Sequence, residues 1–157
     1  MRKIKLTQNK YALVDETIFD VLNKNKWFAV KSGNTYYAGR NLKVDGGKQK
    51  TVLMHSFIVT AKKGLDIDHI DGNGLNNQKY NLRVCTRSQN LMNQGKQKSN
   101  TSGFKGVSWH KGHKKWGARI YYNGKNNQLG YFNDKIDAYE AYCNACVKYH
   151  GEFRKVI

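Results

Sequence analysis

The sequence predicts an α+β chain, and three observations carry that reading. Alternating, β-branched and aromatic segments punctuated by Gly, Asn and Asp recur through its first third. A short strand, loop, strand and helix follow one another between Asp66 and Asn93, and one long helical pattern closes the chain. The expected architecture is an N-terminal β-hairpin region leading into the central motif, then a small three-stranded antiparallel sheet plus one helix. Residues 1–93 should form one domain, 94–102 a linker and 103–157 a second domain.

Tyr11 to Val14 reads as a short strand, and Asp15 can cap a brief helix through Ile18, Phe19 and Leu22. Trp27 to Lys31, the turn Ser32-Gly33-Asn34 and Thr35 to Val44 then predict a hairpin that ends at Asp45-Gly46-Gly47. Its tyrosines and tryptophan are expected to build a core in preference to stacking on bases. Val52 to Ala61 is apolar on average and predicts a short helix, in which His55 reads as a hydrogen-bonded packing residue.

In the central motif Leu65, Ile67 and Ile70 alternate into a turn at Asp71-Gly72-Asn73-Gly74. Those four residues are expected to shape the loop, so Asp71 stays outside the site. Asn81 to Cys85 gives the second strand. Thr86 with Gln89 three residues on fits a capping box, which starts a helix at Thr86 and puts Asn90 in its early turns.

These residue types suit phosphodiester hydrolysis. A hard divalent cation takes oxygen ligands, and Asp68 offers a carboxylate while Asn90 offers an amide oxygen. Neutral imidazole can accept a proton from water, so His69 is the natural general base. Asn81 is placed to hydrogen-bond across the hairpin and hold His69 or the loop around it.

Met92 to Ser102 is polar and basic, with Lys96 and Lys98, and reads as the linker. Beyond it Phe104 to His110, Lys115 to Tyr122 and Asn127 to Phe132 predict three strands, the last two joined at Asn123-Gly124. Asp134 caps the closing helix, whose Ile136, Tyr139, Tyr142, Ala145, Cys146 and Tyr149 recur at helical spacing until Gly151. Alternation turns Trp116, Ala118 and Ile120 toward that helix and leaves Lys115, Arg119 and Tyr121 on an open, basic face.

The formal charge is +17, from 28 Lys and Arg against 11 Asp and Glu, so a polyanion is the expected partner and double-stranded DNA the first candidate. A membrane is not expected, because no long apolar run occurs, and no apolar signal region follows the basic start. The protein should be intracellular. Its three cysteines, Cys85, Cys143 and Cys146, make no disulfide framework, and the Cys143-x-x-Cys146 pair lacks the partners of a structural zinc site.

Asp68-His69, Asn81-Leu82-Arg83 and Asn90 resemble, in order and spacing, the HNH motif of the ββα-metal nucleases, particularly phage and intron-encoded homing endonucleases. The resemblance implies that Asp68 and Asn90 bind Mg²⁺, with Mn²⁺ able to substitute, that His69 activates water and that Asn81 orients His69. It also implies 5′-phosphate and 3′-hydroxyl products. Arg83 and Arg87 would touch phosphates near the cut.

A second resemblance lies in Gly106-Val107-Ser108-Trp109, Lys115 to Ile120, Leu129 to Phe132 and Asp137 to Tyr142. These are similar to the plant ethylene-response-factor (Apetala-type) domain, which reads DNA with the open face of its sheet. Lys105, His110, Arg119, Tyr121 and Gln128 are the candidate contacts. Several arginines and a tryptophan of the plant reading face are replaced by Ser108, Tyr121 and Gln128, so no target sequence carries over. A site-directed DNA endonuclease is the expected function; a regulator with a silent nuclease fold is the alternative.

Overall fold

The basic opening segment gives no strand signal, yet its single apolar interior residue places it in a sheet. In the computed structural model, which describes residues 1–155, β1 (Arg2–Lys5) pairs antiparallel with β2 (Tyr11–Val14). Ile4, Ala12 and Val14 point into the core while the charged neighbours face water. α1 (Glu16–Asn23) follows and buries Phe19 and Leu22.

β3 (Phe28–Ser32), β4 (Thr35–Lys43) and β5 (Gln49–Leu53) form an antiparallel sheet in that order. Ile4, Leu6, Val14, Phe19, Leu22, Trp27 and Met54 make the main hydrophobic core. The helix expected over 52–61 shrinks to α2 (His55–Ile58), because Val52 and Leu53 pair with Arg40 and Gly39 in β5. β-branched Thr51 and Val52 favour the pleated strand, and average apolarity could not tell strand from helix.

β6 (Asp66–His69) pairs antiparallel with β7 (Leu82–Cys85), and α3 (Arg87–Asn93) comes next. The chain divides into two compact units inside α3, the first being Met1–Arg87. The division therefore falls earlier than the expected boundary after residue 93. Residues 94–102 do not form a loose linker either. Asn100 Nδ2 donates to Phe104 O at 2.8 Å, Ser102 Oγ to Val107 O at 2.8 Å and Lys96 Nζ to Gly103 O at 3.0 Å. Polar side chains here satisfy turn backbone, a role that composition does not reveal.

In the second unit β8 (Val107–His110), β9 (Lys115–Tyr122) and β10 (Lys125–Phe132) form an antiparallel sheet with β9 central. Asn123 and Gly124, both at positive φ, turn β9 into β10. α4 (Lys135–His150) is capped by Asp134, whose carboxylate accepts from Ile136 N at 2.6 Å. It packs Ala138, Tyr142, Ala145 and Cys146 against Val107, Ala118 and Ile120, while Ile136 is exposed. Among the described residues no helix is long and apolar enough to cross a membrane.

Candidate active site

Asp68 and His69 are the last two residues of β6, and both are buried, at 6% and 4% exposure. Consecutive strand residues face opposite sides, so carboxylate and imidazole find different partners. Asp68 lies directly opposite Arg83 in the ladder, and the guanidinium donates from Nε and Nη2 to Asp68 Oδ2 at 2.9 and 2.8 Å. The pair is almost dry, which suits a buried carboxylate that must be compensated. Arg83 was expected to touch phosphate. In the structure it neutralises Asp68 instead, because the strand register sets it across from the one buried acid of β6.

His69 packs into a cluster of three rings. Its centroid is 5.6 Å from Tyr37 and 5.1 Å from His55, both edge to face. Asn77, only 1% exposed, sets its Oδ1 3.4 Å from His69 Nε2. An amide oxygen can only accept, so Nε2 carries the proton and Nδ1 is the basic nitrogen. Asn77 Nδ2 is buried with no partner among the described residues, a cost of about 1–3 kcal/mol. Asn77 N donates to Leu13 O at 2.8 Å, fixing this residue on β2.

Of the two tasks expected of it, holding His69 or the loop around it, Asn81 does the second. It ends a 3₁₀ turn, Lys79–Asn81, and binds the loop: Oδ1 accepts from Asp71 N at 3.0 Å, and Nδ2 donates to Asp71 Oδ1 at 3.0 Å and Asn76 O at 2.8 Å. The amide is used up on a turn whose acid, Asp71, also receives Asn73 N and Asn76 Nδ2, each at 2.8 Å. His69 is therefore oriented by Asn77. Nothing in the run Asn73 to Asn81 distinguishes one asparagine from another by sequence.

The remainder of the first unit braces this loop. Asp15 was expected to cap α1, but its side chain makes no cap; its Oδ2 accepts from Lys79 N at 2.7 Å across 64 positions. Gly74 N donates to Thr35 Oγ1 at 3.1 Å, and a Cβ on Gly74 would stand 2.6 Å from Tyr36 O and from the Tyr37 ring. Only glycine lets the loop approach the tyrosine that packs on His69.

Burial sets the protonation of the cluster. It lowers the His69 pKa below that of ordinary imidazole, with Asn77, Asp71 and Asp68 pulling the other way. His55 is pushed down to about 4, first by burial and then by His69. Burial and then Asp68 raise the Tyr37 phenol. Both imidazoles are neutral at pH 7, as a general base must be. His55, which sequence reasoning left as a packing residue, belongs to the ring cluster around His69; only its position ahead of the motif hinted at this.

The donor set fits a hard cation. Asp68 could offer a carboxylate oxygen, Cys85 is buried with its thiol pushed up to about 11 and so offers no thiolate, and no cluster of three His, Cys, Asp or Glu occurs among the described residues. A cation that keeps water and substrate oxygens in most positions, as Mg²⁺ does, suits so few protein ligands. Asn90 lies half-buried on α3. Arg87 is exposed, its Nη1 3.3 Å from Asp66 Oδ2.

In the second unit, Arg119 and Gln128 are ladder partners on the open face, where Tyr121 also stands. Arg119 Nη2 donates to Ser108 Oγ at 3.2 Å and Gln128 Nε2 to Gly130 O at 2.7 Å. His110 joins His113 and Tyr131 in a group of rings. Lys105 Nζ donates to Met92 O at 2.6 Å, and burial lowers its pKa.

A protein-family model described as HNH endonuclease matches residues 57–92. Over 145 residues the chain is 30% identical to an uncharacterized HNH endonuclease of Acanthamoeba polyphaga mimivirus, an alignment covering 91% of this chain and 72% of that protein. Over 67 residues it is 45% identical to Protein 3.8 of Escherichia phage T7, which covers 43% of this chain and 55%, about half, of the phage protein. No solved structure matches.

Proposed function

The chain belongs to the HNH endonuclease family, and on that premise we propose that it is a metal-dependent, site-directed DNA endonuclease of the homing type. It hydrolyses phosphodiester bonds of duplex DNA to 5′-phosphate and 3′-hydroxyl ends. The observation that carries this reading is a buried His69 whose Nε2 is held by Asn77 Oδ1, next along β6 to the buried Asp68.

His69 takes a proton from water at Nδ1, the nitrogen left basic by Asn77. Asp68 and Asn90 would hold the divalent cation, Mg²⁺ or Mn²⁺, which when bound supplies charge stabilisation at the phosphate and leaving oxygen. Tyr37 and His55 restrict the His69 ring and exclude water from its faces. Asn81 keeps the intervening loop closed. Arg87 is the phosphate contact proposed beside the cut, and His110, Arg119, Tyr121 and Gln128 are proposed to meet DNA on the open sheet, as in the ethylene-response-factor type of domain. The formal charge of +17 favours that partner throughout.

A DNA-binding regulator with a silent nuclease fold is the second reading. It is favoured by one observation, the guanidinium of Arg83 already seated on Asp68. Incubating supercoiled plasmid and DNA bearing the protein's own insertion locus with Mg²⁺, Mn²⁺ or chelator separates the two. Metal-dependent nicking or linearisation supports the endonuclease; binding of the locus without cleavage supports the regulator.

A further inference from the structure

The ring cluster around His69 carries more polarity than packing requires. Tyr37 and His55 stand edge to face with the imidazole and with each other, the ring centroids 5.1 to 5.9 Å apart. Phenylalanine rings would serve such packing equally well. Yet Tyr37 brings a hydroxyl and His55 two ring nitrogens, and among the described residues none of these three atoms has a hydrogen-bond partner. They are not sealed either. The enclosed polar side-chain atoms without a partner are Asn77 Nδ2, Tyr142 Oη and His150 Nδ1, so the polar atoms of Tyr37 and His55 reach solvent.

Both side chains are donors at neutral pH. Burial and then Asp68 keep the Tyr37 phenol protonated, and His55, neutral above its pKa of about 4, holds one N–H. A water that gives its proton to His69 lies about 3 Å from the imidazole and about 3 Å from the phosphorus that it attacks. The scissile phosphate is therefore seated roughly 6 Å from the base, the scale on which Tyr37 and His55 flank it. His55 also lines a cavity of about 460 Å³ in the first unit. Lys62 and Lys63 line it too, and its acid, Asp66, is tied to Arg87 at 3.3 Å.

We propose that the Tyr37 hydroxyl and the His55 N–H bind the scissile phosphodiester directly, donating to its non-bridging oxygens, while a neighbouring phosphate of the same strand enters the cavity beside Lys62 and Lys63. Donors already held by a ring cluster need no reorganisation as charge develops on those oxygens. The role is separate from proton transfer at His69 and requires no metal. Assignment to the scissile phosphate rests on the endonuclease reading; the hydrogen bonds to a phosphodiester do not.

The test is chemical-shift titration of the full chain in chelator, following the histidine and tyrosine rings, with a thymidine tetranucleotide and with thymidine, which has no phosphate. Saturable shifts of the Tyr37 and His55 ring signals are expected with the tetranucleotide and not with thymidine. Tyr37→Phe and His55→Phe keep an aromatic ring and remove the donors. Each should weaken tetranucleotide binding about tenfold, one hydrogen bond to a charged acceptor, and slow Mg²⁺-dependent cleavage about a hundredfold. If His55→Phe does not fold, the two wild-type titrations and Tyr37→Phe still decide the matter. Ring signals unmoved up to about 10 mM tetranucleotide, or moved equally by thymidine, would overturn the proposal. Wild-type protein that binds the tetranucleotide at these rings but cuts no DNA sinks the endonuclease reading and leaves the phosphate contacts standing. Cleavage that neither variant slows does the reverse.

Discussion

Arg83 donates two hydrogen bonds to the same oxygen of Asp68, its direct partner on the neighbouring strand. A carboxylate this buried needs a positive charge, and the cation of a nuclease site would supply another. Arg83→Met should therefore cost about 3–5 kcal/mol of folding stability in chelator, the usual result of stripping one partner from a buried ion pair. Mg²⁺ should recover part of that loss, raising the melting temperature of the variant more than that of the wild type. An equal response of both proteins to Mg²⁺ would show that Asp68 does not meet the metal.

Asn77 holds His69 through a neutral amide. In Asn77→Asp a carboxylate takes its place, which favours imidazolium and raises the His69 pKa from its lowered value. The basic form is then lost at higher pH, so the acid limb of the cleavage rate should move upward relative to wild type. Unchanged limbs in a pH series of kcat would argue that Asn77 does not touch the base.

His55 makes its own contribution to stability against pH. Its folded pKa of about 4 lies below the ordinary 6.5, so between those values the unfolded chain binds more protons. Stability is present in full above pH 6.5 and falls as pH drops toward 4, by up to about 3 kcal/mol from this group. His55→Phe should flatten that part of the curve in denaturant melts at pH 7, 5.5 and 4. A variant whose stability falls as steeply as the wild type's would refute the assignment.

On the open sheet, Arg119→Ala should weaken binding to a preferred duplex more than to random duplex if the side chain reads a base. Competition binding at constant salt measures the ratio. A uniform loss would assign Arg119 to the phosphate backbone.

What the sequence made legible was what depends on near neighbours. The β6, loop, β7, α3 order, the Asn123-Gly124 turn and the Asp134 cap of α4 all follow from local rules, and the structure has them. Longer-range uses of the same side chains were not legible. Asp15 has every local qualification as a cap, yet it serves Lys79, and Arg83 reads as a surface cation until the register of two strands pairs it with Asp68. Asn77 takes the imidazole and Asn81 the loop, and a run of asparagines carries no sign of which amide faces the ring. The strand at Gln49–Leu53 was hidden for a related reason: its pairing with β4, and not its own apolarity, decides its conformation.

The most direct test of the account is cleavage by His69→Ala, measured beside duplex binding on the same DNA in Mg²⁺. Loss of the general base should slow cleavage by about two to four powers of ten while binding stays close to that of the wild type. A variant that cuts at the wild-type rate, or that loses binding in step with cleavage, would contradict the role given to His69.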